Sequence, residues 1–139
     1  MSELTELLPT RAPDCANRRL LLYTFRRVAA HGLNDANAAH AMLSVFGRSY
    51  RRPLVLLRAL AAELSRASER KLLVAPCCCP RTTAAESLLV DAVATALVTP
   101  HEAHDSLAAL LGVRECIGAL GSAQALAQAF EDLGRPLEG

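Results

Sequence analysis

Three consecutive cysteines, Cys77, Cys78 and Cys79, lie between two prolines and are the residues of this sequence best suited to chemistry. A cysteine reacts, or binds a metal ion, as the thiolate, which a neighbouring cation or a helix N-terminus favours. Arg81 follows the cysteines closely, and a helix is predicted to begin just beyond it. Free cysteines are also among the most buried residue types, so a structural role in a turn is the alternative.

The cysteine segment predicts either a redox-responsive thiol or a site for a soft metal. Thiolates select zinc, copper or iron–sulfur clusters, so these are the cofactors we expect. Side chains alternate along an extended segment, which leaves Cys77 and Cys79 on the same side. Cys116 follows a helix that is predicted to run back towards the three cysteines. The predicted metal ligands are therefore Cys77, Cys79 and Cys116. Cys15 is a second candidate for the ligand from outside the cysteine segment. Arg81 is predicted to stabilise the thiolates.

The spacing of these residues does not identify a metal or a reaction. There is no CxxC pair and no zinc-ribbon spacing. His101 and His104 are three residues apart on one helix, but no third ligand accompanies them, and an exposed helix start is favoured over a metal site. No nucleophile can be paired with a base from spacing alone. The sequence therefore assigns no catalytic residue and favours a protein that is not an enzyme.

Three arginines, Arg48, Arg51 and Arg52, precede a predicted helix, where positive charge opposes the helix dipole. A compensating anion is therefore expected nearby. A carboxylate from the second half of the chain, such as Glu86 or Asp91, is favoured. Binding of a phosphate, another anionic ligand or a nucleic acid is the weaker alternative, because arginine matches phosphate oxygens. No glycine-rich phosphate loop accompanies these arginines.

Charge is distributed unevenly along the chain. Residues 1–71 contain 12 basic and 6 acidic side chains, whereas residues 72–139 contain 3 and 8. We expect the halves to attract each other within one fold or across a homodimer. A basic face that binds an anionic protein partner is the alternative. The formal net charge is only +1, so we do not expect a nucleic-acid partner.

The hydrophobic pattern of the sequence predicts no membrane-spanning segment. No uninterrupted apolar run approaches the ~18 residues that a span requires, and the acidic start of the chain does not resemble a secretory signal. A cytoplasmic protein with no membrane partner is therefore expected. In that compartment the five cysteines should stay reduced.

Alanine and leucine dominate the composition and predict an all-α bundle of five or six helices. We expect a flexible N-terminal arm over residues 1–13 and a single helical domain over residues 14–139. Residues 71–75 should be extended, as a lone strand or a buried connector. Four of the predicted helices end before a glycine and five begin at a capping residue, while the third begins at or near a proline. They run from a cap at Asp14 to His31, from Asn34 or Asp35 to Phe46, from Pro53 to 67, from the capping box Thr83–Glu86 to Val98, from Thr99–Pro100 to Leu111, and from Ser122 to Leu133.

Three segments of the chain resemble an uncharacterised family of small alphaproteobacterial proteins, a domain of unknown function. They are His31–Ala36, Arg51–Arg58 and Ala75–Arg81, the last containing the Pro-Cys-Cys-Cys-Pro sequence. The resemblance extends over residues 14–136. It implies a bacterial, non-secreted, single-domain protein and carries over no activity, cofactor or catalytic residue.

Three functions follow as hypotheses. The first is a thiol protein whose residues 77–79 bind a soft metal or respond to oxidation. The second is a non-catalytic interaction or regulatory protein, held to a partner by charge and an apolar groove. The third is an anion-binding protein that uses the arginines at 48, 51 and 52.

Overall fold

Six α-helices dominate the computed structural model, which describes residues 8–76 and 78–137. They are α1 (Ala16–His31), α2 (Ala36–Phe46), α3 (Arg51–Ala67), α4 (Ala84–Thr95), α5 (Pro100–Leu111) and α6 (Ile117–Asp132). A single 3₁₀ turn, Gly47–Ser49, leads into α3. Two very short strands, β1 (Thr10–Arg11) and β2 (Arg81–Thr82), pair antiparallel with Thr10 opposite Thr82. The predicted all-α bundle is therefore confirmed.

The helices pack mainly in three pairs. Helix α4 packs on α5 and α1 packs on α2, which are consecutive in the chain, whereas α3 packs on the distant α6. Their apolar faces meet in one core, in which Leu57, Leu107, Leu126 and Phe130 are completely buried. Each such side chain contributes roughly 1.5–3 kcal/mol by leaving water. The ring of Phe46 meets that of Phe130 edge to face, with centroids 5.1 Å apart. Within the described residues, no helix is long and apolar enough to cross a membrane.

Capping residues set several helix ends where the sequence predicted them, although the side chain of Thr99, predicted to cap α5, forms no cap hydrogen bond. The Asp35 side chain accepts a hydrogen bond from the Ala38 N–H at the start of α2. At the start of α4 the capping box of Thr83 and Glu86 is complete. Helix α5 ends at Gly112, whose φ of 72° lies in the left-handed region that glycine adopts without strain.

In the first half the predicted Asp14 cap is wrong, and the start of the third helix lies slightly before the predicted position. Cys15, not Asp14, precedes α1, and no side chain caps that helix. Helix α3 begins at Arg51, two residues before Pro53. The first four N–H groups of a helix have no partner within it, so a proline at the third position loses no hydrogen bond.

Two further boundaries in the second half differ from the prediction. Helix α4 ends at Thr95 instead of Val98. Helix α6 begins at Ile117 instead of Ser122, so that Gly118 lies inside it. A Cβ atom at position 118 would lie 2.6 Å from the Glu63 Oε2 atom of α3. That atom is the end of a flexible side chain, which packs against Gly118, and the glycine lies inside α6 rather than ending a helix.

Residues 71–75, called the connector below, join α3 to the cysteine-rich segment. They form neither helix nor strand. Leu73 is 52% exposed, whereas Ala75 is buried. The connector therefore crosses from the surface to the interior before the chain reaches its cysteines.

Candidate functional site

Residues 76–80, the cysteine turn, reverse the chain between the connector and β2. The N–H of Cys79 donates to the Pro76 carbonyl oxygen over 3.1 Å. Cys78 is exposed and Cys79 is half-buried. Cys77 lies outside the described residues. The turn thus presents at least one thiol-bearing residue to solvent.

A buried ion pair lies directly beneath this turn. Arg26 of α1 and Glu86 of α4 are 2% and 1% exposed. The guanidinium donates twice to the carboxylate, from Nε to Oε2 over 2.7 Å and from Nη2 to Oε1 over 3.0 Å. A charge is costly to bury unless it is paired and hydrogen-bonded, and this two-point contact meets that requirement.

The same pair binds the backbone on both sides of the turn. Arg26 donates from Nη1 to the Cys79 carbonyl oxygen over 3.0 Å and from Nη2 to that of Arg81 over 2.8 Å. Glu86 accepts from the N–H of Ala75 over 3.0 Å and from the N–H of Thr83 over 2.9 Å. One ion pair therefore fixes the position of the cysteine turn relative to α1 and α4.

Sequence reasoning missed Arg26 as a site residue. It stands in an arginine-rich helix whose other members lie at intermediate or exposed positions, and its partner is 60 residues away. One signal was available: Glu86 was recognised as a capping residue at the start of an apolar helix. A carboxylate that is buried at the start of an apolar helix requires a cation, which a residue on an adjacent helix can supply.

Arg81 was predicted to stabilise thiolates, and its guanidinium binds the N-terminal segment. Its Nε donates to the Leu8 carbonyl oxygen over 2.7 Å and its Nη2 to that of Pro9 over 3.0 Å. These contacts, with the pairing of β1 and β2, hold the described part of the predicted arm, residues 8–13, against the turn. Three other cations, Arg11, Arg19 and Arg26, line a cavity of about 650 Å³ together with Cys78 and Cys79.

Cys116, the predicted third ligand, is buried and has a different neighbour. Its N–H donates to His104 Nε2 over 3.2 Å, and its thiol contacts the His104 carbonyl oxygen at 3.6 Å. Burial, reinforced by the negative charges of Asp105 and Glu115, raises the pKa of the Cys116 thiol. The sequence did not predict the contact between Cys116 and His104.

No group of three histidine, cysteine or acidic side chains is placed to hold a metal ion within residues 8–76 and 78–137. The set Cys77, Cys79 and Cys116 includes a residue outside those ranges and stays a prediction. Cys15, the second candidate, precedes α1 and is half-buried.

The three arginines near the start of α3 are exposed. Arg52 pairs with Asp132 at the end of α6, with 2.9 Å between Nη2 and Oδ2. Hydrogen bonds from Gln128 and then Arg52 lower the pKa of Asp132. The anion that compensates Arg52 is thus a carboxylate of the acidic half, as favoured, but it is neither Glu86 nor Asp91. Anion binding through Arg48, Arg51 and Arg52 stays a prediction.

Comparison with known proteins gives a family and no function. The family model described as "Family of unknown function (DUF6628)" matches residues 3–135. No curated protein and no solved structure matches the chain. The expected alphaproteobacterial origin stays a prediction.

Proposed function

The chain belongs to DUF6628, a family of unknown function, and we propose that this member is a redox-responsive thiol protein centred on its cysteine turn. The observation that carries the proposal is the buried pair of Arg26 and Glu86, which holds a turn with an exposed cysteine at the surface. A packed structural cysteine needs no such support. A thiol that must meet a reagent from solution in a fixed environment does.

The charges beside the turn support reactivity. Arg11 and Arg19 line the same cavity as Cys78 and Cys79, and both arginines are exposed at its wall. Nearby cations favour the thiolate over the thiol, and the thiolate is the nucleophile. Arg26 contributes less to this effect, because Glu86 already neutralises its charge.

The reaction we propose is oxidation of Cys78 by a hydroperoxide. The thiolate attacks one peroxide oxygen, so that an S–O bond forms while the O–O bond breaks. Two electrons pass from sulfur to the peroxide, leaving a sulfenic acid, and the departing oxygen takes up a proton. A low-molecular-weight thiol then attacks the sulfenic sulfur, an S–S bond forms, and water leaves. A second low-molecular-weight thiolate attacks the outer sulfur of this mixed disulfide, so that the small disulfide leaves and the Cys78 thiol is restored. The cycle requires a reducing compartment, so the cytoplasm is part of the proposal.

The test is sulfenic-acid trapping on the reduced full chain exposed to hydrogen peroxide, with each cysteine resolved by peptide mass spectrometry. We expect Cys78 to be trapped well before Cys15 and Cys116. Cys78→Ser should remove the early product, while Cys15→Ser should keep it. Equal trapping of Cys78 and Cys15 would contradict the proposal.

The role of the neighbouring cations has its own control. The double variant Arg11→Gln, Arg19→Gln should slow trapping at Cys78 several-fold, because less thiolate forms. The matched variant Arg48→Gln, Arg51→Gln also removes two exposed arginines, but away from the turn, and should leave the rate unchanged. If the two variants behaved alike, local charge at the turn would not be the cause.

Soft-metal binding is the alternative use of the same thiols. The partners of Cys116 weaken it, since that thiol contacts His104 and burial favours its neutral form. A metal would then depend on the cysteine turn. Zinc, copper or iron at one equivalent in anaerobically purified protein, lost in Cys79→Ser but kept in Cys15→Ser, would favour the metal site over the redox thiol.

A further inference from the structure

A second region of the molecule has the form of a ligand site and lies apart from the thiols. A cavity of about 1020 Å³ opens between the C-terminal parts of α1 and α3 and the connector. This is the size of cavities that hold small organic ligands, roughly 300–1,000 Å³. Its wall is mainly apolar and includes Phe25, Val28, Leu33, Leu72 and Leu73.

Two large apolar side chains at this groove are left facing water. Leu33, just beyond α1, is 42% exposed and Leu73 of the connector is 52% exposed. Phe25 and Val28, deeper in the groove, are buried. An apolar chain that entered the groove would cover both leucines, and each apolar Å² removed from water contributes roughly 25 cal/mol.

The charges of the groove are all of one sign and lie close together in the chain. Arg66, Arg70 and Lys71 line it, and none of the described residues in its wall is acidic. Arg66 is already paired with Glu63, at 2.6 Å between Nη2 and Oε2. Within the described part of the chain, neither Arg70 nor Lys71 forms an ion pair.

The groove therefore has two different ends. Arg70 and Lys71 lie where the chain leaves α3, while Ala75 is held at the other end of the connector, beside Arg26 and Glu86. The Arg70 guanidinium lies against Gly112, the residue that follows α5. The C-terminal ends of α1, α3 and α5 each contribute about half a negative charge. Two full positive charges from Arg70 and Lys71 exceed that sum, so this end still attracts an anion.

We propose that this groove binds a single-chain amphiphile with an anionic head group, taken up as a free molecule. The head group lies at Arg70 and Lys71, and the chain runs along Phe25 and Val28 beneath Leu33 and Leu73. The connector suits such a role. Within the described residues, none of the backbone N–H groups of residues 71–74 donates a hydrogen bond. This side of the groove can therefore change its backbone position when a ligand binds.

The experiment is titration of the full chain with dodecanoate below its micelle concentration, followed by calorimetry and by amide NMR shifts. We expect one equivalent to bind and to shift residues of the groove. Dodecyltrimethylammonium has the same chain and a cationic head, and it should bind at least roughly tenfold more weakly. Acetate, which has the head without the chain, should not bind measurably.

Two variants with matched controls locate the site. Arg70→Gln with Lys71→Gln should weaken dodecanoate roughly tenfold, the usual loss when a charged hydrogen bond is removed. Arg48→Gln with Arg51→Gln should leave the affinity unchanged. Ala62→Trp, at an exposed position in the groove wall, should block binding of dodecanoate. Asn37→Trp, at an exposed position of α2 outside the groove, should not.

Three results would overturn the proposal. One is the absence of dodecanoate binding. Another is equal affinity for the anionic and cationic amphiphiles, which would mean that Arg70 and Lys71 recognise no charge. The third is binding to anionic phosphatidylglycerol vesicles without binding of monomeric dodecanoate, which would make the groove a membrane-contact surface.

Discussion

The segment between α3 and α4 contains two regions that lack regular structure but are held very differently. At the cysteine turn, the Arg26 guanidinium donates to the carbonyl oxygens of Cys79 and of Arg81, which follows the turn. The Ala12 N–H donates to the Pro80 carbonyl oxygen. Among residues 8–76 and 78–137, the only hydrogen bond to the backbone of residues 71–74 comes from the Thr83 hydroxyl, which donates to the Leu73 carbonyl oxygen over 2.7 Å.

The difference shows what a buried charge does for an irregular segment. Helices and sheets satisfy their own backbone groups, whereas a turn must find partners elsewhere. The Arg26–Glu86 pair supplies donors and acceptors together and fixes the turn in one position. The connector has a single such anchor before Ala75. We infer that the fixed region suits a thiol presented to solvent and that the loose region suits the wall of a ligand groove.

The largest expected effect comes from breaking the buried pair. Arg26→Met should cost about 3–5 kcal/mol of unfolding free energy, because Glu86 is left buried without its cation. Arg52→Met is the matched control, since Arg52 and Asp132 are 48% and 43% exposed, and it should cost about 0–1 kcal/mol. Urea unfolding at neutral pH measures both. Similar losses in the two variants would mean that burial does not distinguish the pairs.

The next effect concerns the anchor of the connector. Thr83→Ala removes the cap of α4 and the bond to Leu73, and we expect a loss of about 1–2 kcal/mol. Thr99→Ala is a matched change at the start of α5, where the side chain caps nothing, and should cost less. Thermal or urea unfolding compares the two variants. An equal loss would show that the cap and the connector bond contribute nothing.

A smaller effect depends on pH. The Arg27 hydrogen bond is the main cause of the lowered pKa of Asp35. Because the folded pKa lies below the unfolded one, this carboxylate stabilises the fold above the unfolded value, about 3.9, and the stability is lost as pH falls through the folded value.

Asp35→Asn keeps a good N-cap residue but removes that titration. Unfolding free energy measured from pH 6 to pH 3 should therefore fall less steeply in Asp35→Asn than in the unaltered chain. Asp91→Asn, at an exposed position on α4, should keep the original slope. Parallel curves for the unaltered chain and Asp35→Asn would contradict the assignment.

The smallest effect is expected in the connector itself. Leu73→Ser should change the unfolding free energy by no more than about 0.5 kcal/mol, because the side chain is 52% exposed. Leu72, its half-buried neighbour, packs against the core, and Leu72→Ser should cost more. The same urea unfolding measures both. A loss above about 2 kcal/mol for Leu73→Ser would mean that the connector is part of the core.

Local sequence signals predicted most of the fold. Asp35 and Gly47 mark both ends of α2, and Thr83 with Glu86 marks the start of α4, because caps act within one turn of the residues they bind. The start of α6 was missed for the opposite reason. Gly118 has a low helix propensity, but it lies inside α6, where the side chain of Glu63, from the distant α3, packs against it.

The candidate sites were less predictable because they depend on contacts between distant residues. The cysteine turn was evident from composition, but the arginine beneath it was not, since nothing local separates Arg26 from Arg27. The groove depends on where the connector runs after α3. Its apolar and cationic residues come from three segments that only the folded chain brings together.

Hydrogen exchange of the backbone amides tests most directly whether one region is fixed and the other loose. We predict that the Ala75 and Thr83 amides, both bonded to buried Glu86, exchange only through near-global unfolding. The amides of residues 71–74 should exchange orders of magnitude faster, through local opening. Similar protection at all of these positions would contradict the contrast between the backbone held by the Arg26–Glu86 pair on both sides of the cysteine turn and residues 71–74 of the connector.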